Sequence, residues 1–96
     1  MNGKQINMEL TIKLLPPYRI KGEPDEHTLR LKGEAINLQQ LTRHLAREWK
    51  DKLGFPLVDN KELLTAEFIV NGKHASLEAV LKDGDRVTVV PYICGG

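Results

Sequence analysis

Residues 8–15, Met-Glu-Leu-Thr-Ile-Lys-Leu-Leu, alternate with a period of two. Met8, Leu10, Ile12 and Leu14 fall on one side, and Glu9, Thr11 and Lys13 on the other. That pattern predicts a strand with one face buried. Pro16-Pro17 ends it, because proline has no N–H to give to a ladder. Residues 16–25 hold three prolines and Gly22 and read as a connecting loop. Alternation resumes at 27–32, where Leu29 and Leu31 are read as opposing His27, Arg30 and Lys32. A second strand, antiparallel to the first, is expected there.

From Asn37 to Leu53 the period lengthens. Leu38, Leu41, Leu45, Trp49 and Leu53 recur at spacings of three and four, one apolar stripe of a helix. Asn37 is a good N-cap, and Gln40 three residues on completes a capping box. Gly54 reads as the residue just past the helix, with Pro56 following. Residues 55–65 read as a loop. Ala66 to Val70 predicts a third strand, closed by Asn71-Gly72, with Lys73-His74-Ala75 as a short return strand. Leu77 to Leu81 reads as a turn or a single helical turn. Asp83-Gly84-Asp85 is a tight turn in which Gly84 supplies a positive φ. Arg86 to Val90 alternates and is rich in β-branched residues, predicting the last strand.

These elements predict an α+β domain of two layers, a four- to five-stranded sheet covered by one main helix. The first and last strands, both strongly apolar, are expected at its centre. Residues 1–90 form the single domain, and 91–96 a flexible tail ending in diglycine.

Composition narrows the function. The chain has 96 residues, 41% hydrophobic and 28% charged, as in an ordinary globular domain. Fourteen basic against thirteen acidic side chains leave a net charge of +1. A nucleic-acid footprint needs a clustered basic excess, so no nucleic-acid partner is expected. No run approaches the roughly 20 apolar residues of a membrane helix, so no membrane partner is expected either. Met1 to Leu15 shows no signal-peptide pattern. The single cysteine fits a reducing compartment, and a cytoplasmic location is expected.

Catalytic constellations are poor. His74 and Ser76 are two apart and share a strand side by accident of spacing, which is weak ground for a Ser-His-Asp triad. His27, His44 and His74 are far apart, and none stands at metal-ligand spacing with Cys94, so no metal site is expected. Asp83, Asp85 and Asp59 do not make the several ligands over twelve residues that a calcium loop needs, and Asp83-Gly84-Asp85 reads as a turn.

The end of the chain is different. After Val90 come Pro91, Tyr92, Ile93, Cys94, Gly95 and Gly96. Six residues can extend about 20 Å beyond the last strand. Gly95 and Gly96 lack Cβ atoms and can thread a narrow cleft close to another backbone. Two terminal glycines arise by chance in about 0.5% of chains at the average glycine share. The α-carboxylate of Gly96 is the least hindered carboxylate of the chain. Adenylation would make it an electrophile open to a sulfur nucleophile or an amine.

With this tail, the segments Phe68-Ile69-Val70-Asn71-Gly72, Leu81-Lys82-Asp83-Gly84-Asp85-Arg86-Val87 and Val90-Pro91 resemble the ubiquitin-like sulfur carrier proteins. The nearest likeness is to the small subunit of molybdopterin synthase, with the thiamine-pathway sulfur carrier more distant. The resemblance implies a β-grasp fold and no bound cofactor. It implies adenylation of Gly96 by a ubiquitin-activating-type enzyme using ATP, then thiocarboxylate formation. Partners implied are that adenylating enzyme and the molybdopterin synthase large subunit or another sulfur acceptor. Gly96 and Gly95 are then the reacting end, and Pro91, Tyr92, Ile93 and Cys94 the partner-binding tail. Long loops at 16–25 and 55–65, Tyr92 in place of a second proline, and Cys94 before the diglycine depart from the family pattern. Cys94 reads either as a tolerated small residue or as a thiol that exchanges with the thiocarboxylate. Two rival readings remain: a ubiquitin-like modifier joined to lysines through Gly96, and an interaction module whose diglycine is idle.

Overall fold

A computed structural model describes residues 6–91. The first strand, β1 (Asn7–Leu14), sends Met8, Leu10, Ile12 and Leu14 inward, all buried, as its alternation predicts. It pairs antiparallel with β2 (Glu26–Lys32) and parallel with β7 (Arg86–Pro91). On the far side of β7 lie β4 (Ala66–Val70) and β5 (Lys73–Ala75), giving a five-stranded mixed sheet of order β2-β1-β7-β4-β5. The last strand is therefore central, as expected. Helix α1 (Leu38–Glu48) covers one face, and Leu38, Leu41 and Leu45 meet Phe68, Val87 and Val89 in the core. This is the β-grasp arrangement of a sheet closed over one helix.

The start of α1 follows its sequence signals. Asn37 Oδ1 accepts from the Gln40 N–H at 2.7 Å, and Gln40 Oε1 accepts from the Asn37 N–H at 3.0 Å, a complete capping box. The Leu38 and Gln39 N–H groups donate to the carbonyls of Ala79 and Leu77, each at 2.9 Å. The orphan donors of the first turn are thus met by the segment expected to be a turn. That segment continues as β6 (Val80–Lys82), which pairs with β3 (Ala35–Asn37) in a small second sheet. Each strand has three residues, too few to show a period, and only Leu81 is fully buried.

Three sequence expectations need correction. The helix ends at Glu48 rather than Leu53, with Trp49 as C-cap. The Lys52 and Leu53 N–H groups both donate to the Trp49 carbonyl, so Leu53 is reached by a turn that keeps the apolar spacing. Gly54 lies beyond that turn and serves a different purpose. A Cβ there would sit 2.5 Å from the Pro17 carbonyl oxygen and 2.9 Å from that of Arg19, so only glycine admits this approach. His27 does not oppose Leu29 and Leu31; its odd number puts it on their face, half-buried, with its ring 5.2 Å from that of Trp49.

The two long loops are packed against each other. The Gly54 N–H donates to Arg19 O at 3.1 Å, and Ile20 forms a bridge with Leu53. Tyr18, Ile20 and Leu57 are buried in the main core. The Tyr18 hydroxyl donates to Thr65 O at 2.8 Å, fastening the first loop to the end of the second. Burial pushes the Tyr18 phenol above its ordinary value of 10.0, with the Thr65 hydrogen bond opposing that rise. The fold therefore favours protonated Tyr18. Below pH about 10 folded and unfolded chains both hold the proton and the contribution is complete. As pH rises further the unfolded chain releases its proton first, and stability falls. Tyr18→Phe is expected to flatten this alkaline loss while costing about 1 kcal/mol at neutral pH. Urea midpoints of both proteins at neutral and alkaline pH measure the two effects.

Candidate functional site

The predicted site lies on the last strand and beyond it. Strand β7 runs one residue past Val90 to Pro91, which is half-buried and pairs with Ala66. Val90 pairs with Glu67 on the same side. On the other side, the Leu15 N–H donates to Val89 O at 3.1 Å, holding the strand nearly to its end. Tyr92, Ile93, Cys94, Gly95 and Gly96 lie outside the described residues. Pro91 is thus the one predicted tail residue that is placed, and it belongs to the central strand.

Beside this exit is a broad polar–apolar surface. The sheet face opposite α1 carries Thr11 and Lys13 of β1, Thr88 and Val90 of β7, and Glu67 and Ile69 of β4, all half-buried. Registered pairs align Lys13 with Thr88, and Thr88 with Ile69. The flank over β2 is charged. Arg30 Nη2 pairs with Glu9 Oε2 at 3.0 Å, and Arg86 Nη1 with Glu26 Oε2 at 2.6 Å. These pairs are about half exposed or more, and each contributes at most about 1 kcal/mol.

The motif residues behind the sequence resemblance sit at the other end of the sheet and act as fasteners. Asn71-Gly72 is a two-residue turn between paired Val70 and Lys73, with φ of 50° and 85°. Both residues need positive φ in the type I′ geometry that suits a hairpin's twist. Asn71 Nδ2 donates to Asp85 Oδ1 at 2.9 Å, and Asn71 Oδ1 accepts from the Arg86 N–H at 2.9 Å. Asp85 Oδ2 accepts from the Lys82 N–H at 2.8 Å. Asp83 Oδ1 accepts from the Glu9 N–H at 2.7 Å, and the Gly84 N–H donates back to Glu9 O at 2.8 Å. Two short turns thereby tie β1, β4, β6 and β7 together.

Other candidates are dispersed. His27 is on β2 and His74 on β5, at opposite edges of the sheet, and His44 is on α1. His74 Nε2 is 3.9 Å from Glu67 Oε1, and Ser76 stands past the end of β5. Asp59 Oδ1 accepts from the Lys61 and Leu63 N–H groups, the work of a turn residue. Among the described residues no group of three His, Cys, Asp or Glu side chains could hold a metal ion. No helix among them is long and apolar enough to cross a membrane. One concavity was not foreseen. A groove of about 650 Å³ lies between α1 and the 53–64 segment, with Arg43, Arg47 and Lys50 on one wall and Leu57 and Leu64 on its floor. The i, i+4, i+7 spacing of those three cations was its signal in the sequence.

A sequence model of the ThiS family matches residues 12–96, from within β1 to the last glycine. The chain belongs to the ThiS family. No curated protein matches it. Among solved structures, it is similar to a protein described as molybdopterin converting factor subunit 1 from Pyrococcus furiosus. That match has 24% identity, covers 90% of this chain and 99% of the other, and has a TM-score of 0.65. Small archaeal modifier protein 1 of Methanosarcina acetivorans matches at 24% identity over 94% and 98% of the two chains, with a TM-score of 0.60. A structure from Helicobacter pylori holds subunits 1 and 2 of molybdopterin-converting factor in complex. It matches at 26% identity over 93% of this chain and 100% of that one, with a TM-score of 0.50. The shared ubiquitin-like fold fits the topology found here.

Asn71→Ala removes both side-chain bonds and leaves an alanine in a left-handed conformation. Stability is expected to fall by about 2 kcal/mol. Chemical denaturation of the variant measures this, and Asn71→Gly is expected to recover the backbone share of the loss.

Proposed function

We propose that this protein is a sulfur carrier that works through the α-carboxylate of Gly96. The observation that carries this reading is the ThiS family match, which runs to residue 96 and so takes in Gly95-Gly96. A ubiquitin-activating-type enzyme binds ATP, and the Gly96 carboxylate attacks its α-phosphorus, releasing pyrophosphate. Sulfide then adds to the acyl carbon of the adenylate. AMP leaves, a proton is released, and a C–S bond replaces the C–O bond to AMP with no change in oxidation state. The product is a thiocarboxylate. The protein is a carrier in this scheme and not a catalyst, and it binds no cofactor of its own. Use of ATP fits a cytoplasmic location.

The fold supports the roles of the two ends of β7. A central strand, bonded on both sides, gives the tail a firm origin. Docking on the activating enzyme uses the open sheet face, where Thr88, Val90 and Ile69 offer apolar contact and Lys13 and Glu67 fix orientation. Tyr92, Ile93 and Cys94 lead the diglycine into the ATP site, where the absence of a Cβ on Gly95 and Gly96 lets the chain pass. The Helicobacter pylori complex of subunits 1 and 2 supports a second partner, which in this proposal accepts the sulfur. The acceptor product is a molybdenum or tungsten pterin, thiamine or an amino-acid precursor.

Intact-mass measurement after incubation with the activating enzyme, ATP and sulfide is expected to show one oxygen replaced by sulfur. Deleting Gly96 is expected to abolish that mass change while leaving the thermal transition in place, because the core lies within residues 8–89. Loading that survives the deletion would sink the proposal. A diglycine remnant on lysines of other proteins would instead identify a modifier, which shares the adenylate. Cys94→Ala is expected to load at an unchanged rate, as a simple spacer would. A slower rate would assign its thiol to the transfer.

A further inference from the structure

Strand β2 ends the five-stranded sheet, and its outer edge carries seven residues without proline. The direction of its backbone groups follows from two bonds that bracket it. The Leu14 N–H donates to Asp25 O, and the Gly33 N–H donates to Ile6 O. Backbone groups alternate in direction along a strand, so the odd-numbered residues of β2 face β1. The N–H and C=O groups of Glu26, Thr28, Arg30 and Lys32 therefore face outward. Among the described residues, no backbone group bonds to them.

We propose that this edge pairs with the same edge of a second copy, forming a two-fold dimer with one continuous ten-stranded sheet. The register is centred on Leu29. An antiparallel pairing about that residue sets Glu26 opposite the second copy's Lys32, and Thr28 opposite its Arg30, each pair occurring twice by symmetry. These are the residues whose backbone groups face outward, so all of them enter hydrogen-bonded pairs. Their side chains are exposed on one face of the sheet, and the acid at one end of the strand meets the base of the other end. On the opposite face, Leu29 meets Leu29 at the axis, and His27 meets Leu31. Leu29 and Leu31 are only partly buried and gain cover there.

Charge argues for a second copy as the occupant, and charge together with strand length sets the register. Charged residues on an edge ordinarily keep other strands away. Here the signs are segregated: Glu26, which already pairs with Arg86, stands at the start, and Lys32 stands at the end beyond Arg30, which pairs with Glu9. An antiparallel second copy brings its Lys32 to the Glu26 carboxylate as a second cation beside Arg86. Centring on Arg30 instead would set Arg30 against itself, and centring on Thr28 would leave Lys32 beyond the other strand. The opposite edge, β5, has three residues and offers no comparable length. In the dimer the two β7 strands end at opposite ends of the extended sheet, so neither Pro91 faces the axis.

Sedimentation equilibrium of the full chain over a range of concentrations tests the assembly, with amide hydrogen exchange at low and high concentration. The expected result is a monomer–dimer equilibrium in which the Thr28 and Arg30 amides become protected only as the dimer forms. Leu29 and Leu31 amides, bonded to β1, are protected throughout. Lys32→Glu sets like charges opposite each other twice and is expected to weaken the dimer by about tenfold. Adding Glu26→Lys to it restores opposite charges and is expected to recover most of the affinity, with far-UV circular dichroism confirming that each variant is folded. A protein that stays monomeric at every concentration overturns the proposal. A dimer whose affinity ignores Lys32→Glu, or whose Thr28 and Arg30 amides still exchange freely, overturns it as well. Protection that requires another protein's strand, with the pure chain monomeric, assigns the edge to a different occupant and also refutes the dimer.

Discussion

The parallel pairing of β1 with β7 is the constraint on which the rest of the structure depends. It sets Thr11 beside Arg86 and Leu14 beside Val89, joining the first and last strands. Parallel neighbours cannot be linked by a tight turn, so everything between them must travel out and back. Strand β2 returns along the outer side of β1, α1 crosses the face, and β4 comes back along the other side of β7. The buried residues of β1 and β7 then form a continuous floor under Leu38, Leu41 and Leu45. Such distant contacts reward the chain only after long loops close, so local devices must hold the intermediate pieces in position. The capping box at Asn37 and the turn at Asn71-Gly72 are two of them.

Much of this could be read in the sequence, for physical reasons that differ from element to element. Period-two alternation identified β1 and β7 because each buries one face only. The capping box marked the start of α1 because its chemistry is local. The end of α1 was misread because Trp49 and Leu53 keep an apolar spacing of four in a turn as well as in a helix. Strands β3 and β6 were invisible because three residues carry no period, and their pairing is decided by where the helix begins. His27 shares the face of Leu29 and Leu31, as its parity with them requires.

The site was legible in a different manner. Of the residues that carry the resemblance, Asn71, Asp83, Gly84 and Asp85 bind backbone groups or one another, and Gly72 supplies a positive φ to the hairpin turn. They report the fold, and through it the family, without taking part in the chemistry proposed for Gly96. The two long loops told least in advance. Their prolines and glycines mark irregular chain, but nothing local shows that Tyr18 is buried or that Gly54 must admit the Pro17 carbonyl. Those contacts join segments far apart in sequence.

A pull on the tail in line with β7 would reach the domain at Pro91. The strand is bonded to β1 on one side and β4 on the other over most of its length. A pull in that direction loads the bonds of both ladders together, in shear, instead of opening them one after another like a zipper. The domain can therefore serve as a rigid handle, transmitting force to its far end without losing its last strand.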